Sequence, residues 1–486
     1  MTPRQRLLLA VLSGVQFVLI VGATIVMVSL PHIRADLGMT PAALQWVVTV
    51  YVLTFGGFLL AGGRVVDLLG GRTVLLTGMV VFGVASVGCA VATSGEVLIA
   101  FRALQGVGAA MASPAALSLL AGQFSEPRVR RLALGIWAGA GAIGGTLGNV
   151  IGGLITTLFN WHWIFLFSAP AIVLLLGGVL WVVPRSARRA RVHSGVLSAV
   201  AVTTAMGLFL LALSQAPQSL PQLSTVTVAG FAGALLMAGV FLLVERRSPA
   251  PLLPWSSLLQ GQAGFGYLFI VLASTGMGVY YLCSIFMQDV LGYSALTAGL
   301  LFLPWTVMIA LGAQLGPRLL DRLPLRPTLL LALIGMGLGL AILAAGLTPA
   351  MTRASFVVPF ILIGLGQGMM GVIATSLALS SSGPHGHGMA ASVVNTSQQV
   401  GGAFFISISG AVTILVASMA RQAGTTGGAA ELVGVRASLM VTIAVCTLGL
   451  VVAWFGLGGR GLPGRAGGGP QPATPPADLG GSTLRP

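Results

Sequence analysis

The stretch GRVVDLLGGR, residues 63–72, sets three charges between two long apolar segments. Much later the chain reads GPRLLDRLPLR, residues 316–326, again between apolar segments. Aligned on Asp67 and Asp321, both stretches follow the pattern Arg-x-x-Asp-x-x-x-x-Arg. A charged turn that recurs between apolar segments indicates an internal repeat in a membrane protein.

The composition predicts a polytopic membrane protein. Of the 486 residues, 56% are hydrophobic and 7% are charged, whereas a soluble domain carries about 25% charged residues. The net charge of +15 comes from 24 basic residues, all arginine, which gather at the ends of apolar segments. That distribution is a topology signal and not a phosphate-binding face, so we expect the lipid bilayer and no nucleic acid as a partner.

The apolar segments predict fourteen membrane spans. A spanning helix needs about 20 apolar residues, and helices are expected because backbone groups in lipid must pair within their own segment. The predicted spans 1 to 14 cover residues 8–31, 44–63, 73–93, 97–121, 133–157, 162–183, 194–214, 225–244, 264–286, 296–316, 327–346, 355–379, 389–417 and 437–458.

Arginine distribution orients these spans. With the N-terminus in the cytoplasm, eighteen arginines lie at inner ends and four at outer ends. This bias follows the positive-inside rule. An even number of spans preserves it, so we expect both termini to be cytoplasmic in a multi-pass protein of the cell membrane.

The repeated turn follows spans 2 and 10, a shift of eight spans. We therefore expect two six-helix halves with a two-helix insertion, and a peripheral position for spans 7 and 8 because they interrupt the repeat. The predicted parts are a first half at 1–190, an insertion and linker at 191–260, a second half at 261–459, and a Gly/Pro-rich disordered cytoplasmic tail at 460–486.

Motifs in several spans occur in the order of a known family. The motif residues are Gly63, Asp67, Gly70 and Arg72 after span 2; Arg102, Gln105 and Gly106 in span 4; and Gly144, Gly148, Gly152 and Gly153 in span 5. With these motifs the chain resembles the major facilitator superfamily and, within it, the fourteen-helix drug:proton antiporters. The resemblance implies an all-α fold of fourteen helices that moves a small molecule by alternating access.

The turn after span 2 is a candidate latch. A carboxylate there can accept hydrogen bonds from helix N-terminal N–H groups and pair with arginine. The resemblance implies that this turn holds the cytoplasmic side closed when the outer side is open. The alternative is a topology turn with solvated charges. The latch candidates are Gly63, Asp67, Gly70 and Arg72, with Asp321, Arg322 and Arg326 in the degenerate second copy.

Arg102 is the charge that we place inside a span. A charge at membrane depth is costly and usually marks function, but Arg102 lies near the outer end, so its side chain could instead extend to the interface. Gln105 and Gly106 follow one turn later. The resemblance implies that this segment controls proton coupling and contacts substrate.

Span 5 carries glycine every four residues, at 144, 148 and 152. This spacing places the glycines on one helix face and allows close helix packing. The resemblance implies that the helix packs at the interface between the halves and favours export; ordinary tight packing is the alternative. Asn149 stands where the family usually has proline, so a backbone donor is restored.

The chain departs from the family in its acids. Gly22 stands where relatives carry an aspartate in span 1, and all nine acids lie in loops or at span ends. Intramembrane acids are common proton carriers. The remaining candidates are His32 and the outer-end acids Asp36, Glu96 and Asp289.

Polar residues of the central spans predict a cavity between the halves, and no cofactor or metal is expected. The cavity candidates are Gln105, Asn149, Tyr280, Asn395, Gln398 and Gln399. His385 and His387 have no cysteine or acid nearby, so they indicate a solvated turn and not a metal site.

We interpret the chain as a monomeric, proton-coupled exporter of an antibiotic or drug. Without the span 1 acid, the electrostatic potential in the cavity should be neutral to positive. Such a potential favours an acidic or zwitterionic cargo such as a β-lactam. An uncoupled facilitator or importer on the same fold is an open alternative. A membrane enzyme would need catalytic groups clustered at one membrane face, whereas the acids are dispersed.

Overall fold

A computed structural model describes residues 1–124, 126–183, 196–215, 224–248, 263–379, 387–425 and 428–456. Within these ranges the chain forms helices joined by short connections. The helical spans, numbered 1 to 14 as above, are Pro3–Leu37, Pro41–Leu69, Gly71–Ala90, Gly95–Gln123, Pro127–Leu158, His162–Val182, Val196–Gln215, Thr225–Arg247, Ala263–Val290, Ala295–Leu320, Leu325–Gly346, Val357–Leu379, His387–Gln422 and Gly428–Gly456.

The predicted all-α membrane fold is confirmed. Thirteen spans are long and apolar enough to cross a bilayer, and span 7 contains a shorter apolar segment, Val200–Leu213. The helix starts follow from local sequence. Thr2, Thr40 and Ser94 each accept a hydrogen bond from the backbone three residues on, which satisfies an otherwise unpaired N–H group.

Span 1 extends beyond its predicted end at residue 31. Its helix Pro3–Thr24 passes through a 3₁₀ turn, Met27–Ser29, into a second helix, Leu30–Leu37. Pro31 is tolerated there because the first turn of a helix needs no donor at that position. His32, Arg34 and Asp36 therefore stand on a helix at the outer end.

Each half packs around a central helix. In the first half, spans 2 and 3 pack on span 4, and span 1 packs on spans 5 and 6. In the second half, spans 10 and 11 pack on span 12, and spans 13 and 14 pair. Glycine permits the closest approaches: a Cβ at Gly108 would lie 2.6 Å from the backbone nitrogen of Phe82.

The halves meet where span 2 packs on span 13 and where span 5 packs on span 10. We call these contacts the outer seam, and the side that carries Met1 the inner side. A Cβ at Gly56 would lie 2.5 Å from Gln399 Cβ, and one at Gly299 would lie 2.6 Å from the Asn149 carbonyl oxygen. Nearer the inner side, a Cβ at Gly63, Gly135 or Gly139 would meet nothing within 4 Å. The molecule is therefore closed on its outer side.

Span 7 lies along the seam between spans 2 and 13. A Cβ at Gly57 would lie 2.9 Å from Thr203 Cβ, and the Phe209 ring stacks on Phe404 with centroids 6.2 Å apart. Span 8 packs on span 7 and leaves Leu235 76% exposed. The proposed domain borders at 190/191 and 260/261 and the tail 460–486 lie outside the described residues.

Candidate functional site

Arg102 is completely buried inside the first half. Its Nε donates to the Val47 carbonyl at 2.9 Å, and Nη1 donates to the Gly22 carbonyl at 3.1 Å and to Gln105 Oε1 at 2.6 Å. Nη2 has no hydrogen-bond partner among the described residues. The side chain thus joins spans 1, 2 and 4 from within and does not extend to the outer interface.

The groups around this guanidinium are neutral. Its Cζ lies 4.2 Å from the centre of the Tyr51 ring, a distance at which a desolvated cation gains about 2 kcal/mol. Tyr51 in turn donates to the Leu19 carbonyl at 3.0 Å. The contacts that the structure gives Arg102 are therefore carbonyl oxygens, an amide and an aromatic face, and they include no carboxylate.

Gln105 and Gly106 have separate roles beside Arg102. Gln105 Nε2 donates to Ser86 Oγ at 2.7 Å, and Ser86 donates to the Phe82 carbonyl at 2.8 Å, which extends the polar network to span 3. Gln105 is 1% exposed, so it is buried in this conformation, and its role in lining a cavity stays a prediction. A Cβ at Gly106 would lie 2.6 Å from the Tyr51 carbonyl oxygen, so this glycine permits close packing of spans 2 and 4.

Gly22 of span 1 packs against an aromatic ring of span 3. A Cβ at Gly22 would lie 2.7 Å from Phe82 Cζ. The Phe82 ring, 1% exposed, therefore occupies the space that an acidic side chain would need. Arg102 donates to the Gly22 carbonyl at the same position of span 1.

The second half has a related site that the sequence analysis missed. Trp305 Nε1 donates to Gln367 Oε1 at 2.9 Å, and Gln367 Nε2 donates to the Ala273 carbonyl at 3.1 Å. The segment Gly366-Gln367-Gly368 of span 12 repeats the Gln-Gly pair of span 4. Spans 4 and 12 correspond in the six-plus-two-plus-six scheme, so this repeated pair was the signal.

Tyr280 belongs to an aromatic cluster in this second half. Its ring stacks on Phe302 with centroids 3.6 Å apart and lies 5.7 Å from Trp305. The Tyr280 hydroxyl is buried without a partner among the described residues. The cavity role proposed for Tyr280 would thus require the cluster to separate.

Span 5 uses two faces. The glycines of its four-residue stripe face span 1: a Cβ at Gly144 would lie 2.9 Å from the Phe17 carbonyl oxygen, and Gly152 faces the Ile25 carbonyl. Gly153 instead faces the other half, where an added Cβ would lie 2.5 Å from the Ala295 carbonyl oxygen. Gly148 abuts Thr24. The stripe therefore packs within the first half, and the neighbouring face at Gly153 meets span 10.

Asn149 restores a local hydrogen bond and also reaches the seam. Its Nδ2 donates to the Gly145 carbonyl at 3.0 Å, one turn back, while Oδ1 is buried without a partner among the described residues. The Asn149 backbone carbonyl faces Gly299 of span 10. The residue thus contributes its backbone to contact between the halves.

An ion pair bridges the halves at the outer side. Arg34 Nη2 of span 1 lies 2.9 Å from Asp289 Oδ2, which stands on the π-helical end of span 9, Phe286–Val290. Close by, Ser284 Oγ donates to the Met27 carbonyl at 2.8 Å. Both contacts join span 1 to span 9 and hold the outer side closed.

The ion pair lines an outer pocket of about 390 Å³ between the halves. A second pair, Arg421 with Glu431, lines the same pocket. Leu44 of span 2 and Gly410 of span 13 form part of its wall. The pocket therefore reaches the outer end of the seam between spans 2 and 13.

Breaking the Arg34–Asp289 pair should favour the outward-open state. The pair is partly exposed, with side chains 36% and 20% accessible. We therefore expect its loss to destabilise the closed outer side by about 1 kcal/mol, which raises the population of the outward-open state about fivefold. Arg34→Ala or Asp289→Asn should raise labelling of an outer-seam cysteine by that factor. The charge swap Arg34→Asp with Asp289→Arg should restore the wild-type rate. Unchanged labelling in both single variants would contradict the gate.

The two proton-carrier candidates of span 1, His32 and Asp36, lie on the same outer helix as Arg34, Leu30–Leu37. Asp36 Oδ2 accepts a hydrogen bond from Trp161 Nε1 at 2.8 Å, within the first half. His32 is exposed on the same outer helix. These positions give both groups access to the outer side.

The latch candidates lie at the inner side. The Asp67 backbone is in the last turn of span 2, and its side chain lies outside the described part of the structure. Gly70 has φ +85°, a conformation that favours glycine, and forms the sharp turn into span 3. Arg72 Nη2 donates to the Leu180 carbonyl of span 6 at 2.8 Å. The Arg72 contact therefore stays within the first half in this conformation.

The second copy of the turn is built differently. Asp321 caps the end of span 10 and is exposed, as is Arg322. Arg326 packs its guanidinium 3.9 Å from the centre of the Trp454 ring of span 14. Pro324 precedes span 11 and takes the N-cap position, so no acid caps that helix.

The remaining candidates lie on or near the inner half of span 13. Asn395 and Gln398 are exposed, and Gln399 packs its Cβ against Gly56. His387 begins the helix and so does not lie in a loop, while His385 is outside the described residues. The described residues contain no group of three or more His, Cys, Asp or Glu side chains placed to hold a metal.

Comparison with known proteins places these features in a family. Residues 12–406 match the model of the Major Facilitator Superfamily. The chain is 34% identical to the puromycin resistance protein of Streptomyces alboniger over 93% of this chain and 91% of that protein. It is 36% identical to the cephamycin export protein of Amycolatopsis lactamdurans over 90% of this chain and 89% of that protein.

Solved structures share the fold. An auto-inhibited POT family peptide transporter superposes with a TM-score of 0.65 at 14% identity, over 93% of this chain and 96% of that one. A bacterial homologue of the human lysosomal transporter Spinster, inward-facing and unoccupied, gives 0.62 at 17% identity, over 93% and 97% of the two chains. From the family match over most of its length and from its helical architecture, the chain belongs to the Major Facilitator Superfamily of membrane transporters.

Proposed function

We propose that this protein exports a small-molecule antibiotic across the cell membrane by alternating access, with both termini in the cytoplasm. The observation that carries the proposal is near full-length similarity to proteins named for puromycin resistance and cephamycin export. Two further relatives, at 29% and 30% identity, are methylenomycin A resistance proteins. Transport, and not catalysis, is therefore the activity that we assign.

The seams support alternating access. Spans 2 and 13 and spans 5 and 10 close the outer side through glycine contacts, whereas glycines nearer the inner side face open space. A cargo would enter from the inside and leave when these seams part. The glycine face of span 5 supports export through its resemblance to antiporters, while an importer on the same fold would accumulate the same cargo in cells.

The proposed cargo is acidic or zwitterionic, with a β-lactam as one candidate. Arg102 is buried among neutral groups, and Phe82 fills the place of the acid at Gly22. A desolvated cation beside Arg102 would find no counter-charge among the groups that the structure describes around this guanidinium. A carboxylate that reached the guanidinium would gain a charge-assisted hydrogen bond, which its unpartnered Nη2 could donate.

We propose that protons drive export, with His32 or Asp36 as the carrier, in a protein that works as a monomer. Asp289 fits this role poorly, because its protonation would shift the conformational equilibrium in the wrong direction for antiport. Ionised Asp289 holds the outer side closed through Arg34, so a proton taken up from outside would favour opening. In antiport that proton must favour the return to the closed outer side. Asp289 is therefore assigned to the gate.

An efflux panel tests the cargo and the direction together. A sensitive host should gain resistance to a carboxylated antibiotic, and inverted vesicles should accumulate it when a proton gradient is applied. The methyl ester of the same compound and a quaternary ammonium dye should be transported at least about tenfold less well, the loss expected for one charged hydrogen bond.

Vesicles without the protein control for passive entry, and a protonophore separates coupled from uncoupled transport. Export of the dye with no export of the carboxylate would contradict the proposed cargo. Resistance that survives the protonophore in full would contradict proton coupling. Accumulation of the antibiotic in intact cells would favour the importer.

A further inference from the structure

The seam between spans 2 and 13 contains buried polar side chains without partners. Gln45 and Thr49 of span 2 are 0% exposed and Ser407 of span 13 is 1% exposed. In the described part of the chain, neither the amide atoms of Gln45 nor the hydroxyls of Thr49 and Ser407 form hydrogen bonds. Buried polar groups in proteins are normally satisfied, so this cluster needs an explanation.

The two helices set the position of the cluster. Gly410 abuts the Gln45 amide at the outer end, and Gly56, near the middle of span 2, abuts Gln399. Because spans 2 and 13 run antiparallel between these contacts, Thr49 stands level with the segment that contains Ser407. The polar groups thus occupy the outer half of a surface where one half of the protein meets the other.

The cluster also adjoins the outer pocket. Gly410 and Thr413 line that pocket, and the Thr413 hydroxyl is likewise buried without a partner among the described residues. Separation of spans 2 and 13 would connect the pocket to Gln45 and Thr49. Water or cargo would then satisfy groups that are unpaired while the outer side is closed.

The contacts in the seam between spans 2 and 13 are consistent with its opening during transport. Each unpaired polar group destabilises the closed seam, because its hydrogen bonds to water are lost and not replaced. The Arg34–Asp289 pair and the close glycine contacts oppose that cost. A seam held by contacts at its margins, with unsatisfied polar groups inside, can open without exposing a purely apolar surface.

We propose that Gln45, Thr49 and Ser407 form a hydrogen-bonding subsite that cargo contacts in the outward-open state. An amide with two hydroxyls offers both donors and acceptors and no charge. The subsite would therefore take an uncharged polar part of the cargo, such as an amide or hydroxyl group, and complement the positive site at Arg102. This inference rests on the proposed export function.

Cysteine labelling tests the exposure of the subsite. The three native cysteines, Cys89, Cys283 and Cys446, are buried, which gives a low background for a membrane-impermeant maleimide. In Thr49→Cys, we expect labelling from outside during turnover, and faster labelling when Arg34→Ala is added. Thr54→Cys is the matched control on the same helix, because Thr54 faces span 4, with its Oγ1 3.0 Å from the Ala103 carbonyl. It should stay unlabelled in both backgrounds.

A pair of isosteric replacements tests cargo contact. Thr49→Val removes an unpaired hydroxyl, so it should leave the melting temperature unchanged or raised while increasing KM at least about fivefold, the factor for loss of one ordinary hydrogen bond to cargo. Thr54→Val removes a bonded hydroxyl, so it should lower the melting temperature and leave KM unchanged. A structural role for Thr49 would instead lower stability without moving KM.

The outcomes separate the two proposals. Normal export by the wild-type protein together with no labelling of the Thr49→Cys variant, or with a wild-type KM in Thr49→Val, would overturn the subsite alone. A wild-type protein that exports none of the panel compounds would overturn the proposed function and the subsite with it. Export, outside labelling and a raised KM together would support both.

Discussion

Arg102→Ala should reduce export at least about 100-fold, the largest effect that we expect from a single residue. The guanidinium donates to the Val47 and Gly22 carbonyls and to Gln105, and thereby connects spans 1, 2 and 4. Two such charged hydrogen bonds, at about 1.5 kcal/mol each, correspond to that factor. Alanine would also remove the donor that Arg102 provides to the buried Gln105 Oε1, where water cannot replace it.

Lysine separates charge from geometry at this position. Arg102→Lys keeps the charge but replaces a fork of five donors by a single ammonium group, so it should recover little export. Export in vesicles is measured beside expression and melting temperature in detergent. Arg353→Ala, at an exposed outer arginine, is the control and should export normally. Near-normal export by well-expressed Arg102→Ala protein would show that Arg102 is not part of the functional site.

The sequence was sufficient for the spans and their type, because each apolar segment must form its own hydrogen bonds in lipid. It was also sufficient to place Arg102 inside a span. It could not show which carbonyls the arginine binds, since backbone acceptors carry no sequence signal. The interaction with Gly22 is an example: a residue with no polar side chain provides the carbonyl that binds the charge.

Contacts between distant spans were the least predictable part. The spacing of Gly144, Gly148 and Gly152 correctly indicated one packed face. Nothing in that spacing says whether the face meets span 1 or the other half, because periodicity reports a direction around the helix and not the neighbour. The ion pair of Arg34 with Asp289 was likewise hidden, since the two residues are far apart in the chain and span 1 continues as a helix beyond Pro31.

Gly153→Ala should stop the outer side from closing and reduce export at least about 50-fold. The added Cβ would lie 2.5 Å from the Ala295 carbonyl oxygen and 2.7 Å from Leu296 Cα. Both are backbone atoms of span 10, so no side-chain rotation relieves the contact. Overpacking of this kind costs about 1–3 kcal/mol, and its upper end shifts a two-state equilibrium by more than about 100-fold.

Gly299→Ala tests the same contact of spans 5 and 10 from the side of span 10. Its new Cβ would lie 2.6 Å from the Asn149 carbonyl oxygen of span 5. We expect the same loss of export and the same rise in outside labelling of Thr413→Cys, which lines the outer pocket. Gly145→Ala is the matched control: its Cβ would meet only Ile20 Cγ2, at an ordinary 3.7 Å.

Because the clashes of Gly153→Ala and Gly299→Ala fall between the halves and not within either core, both variants should express and melt like the wild-type protein. That combination of normal folding, high outer labelling and lost export is specific to a seam that must close in every cycle. Equal losses in Gly145→Ala would show that span 5 simply tolerates no added methyl group, and normal export by Gly153→Ala would show that the contact of spans 5 and 10 is not required for transport.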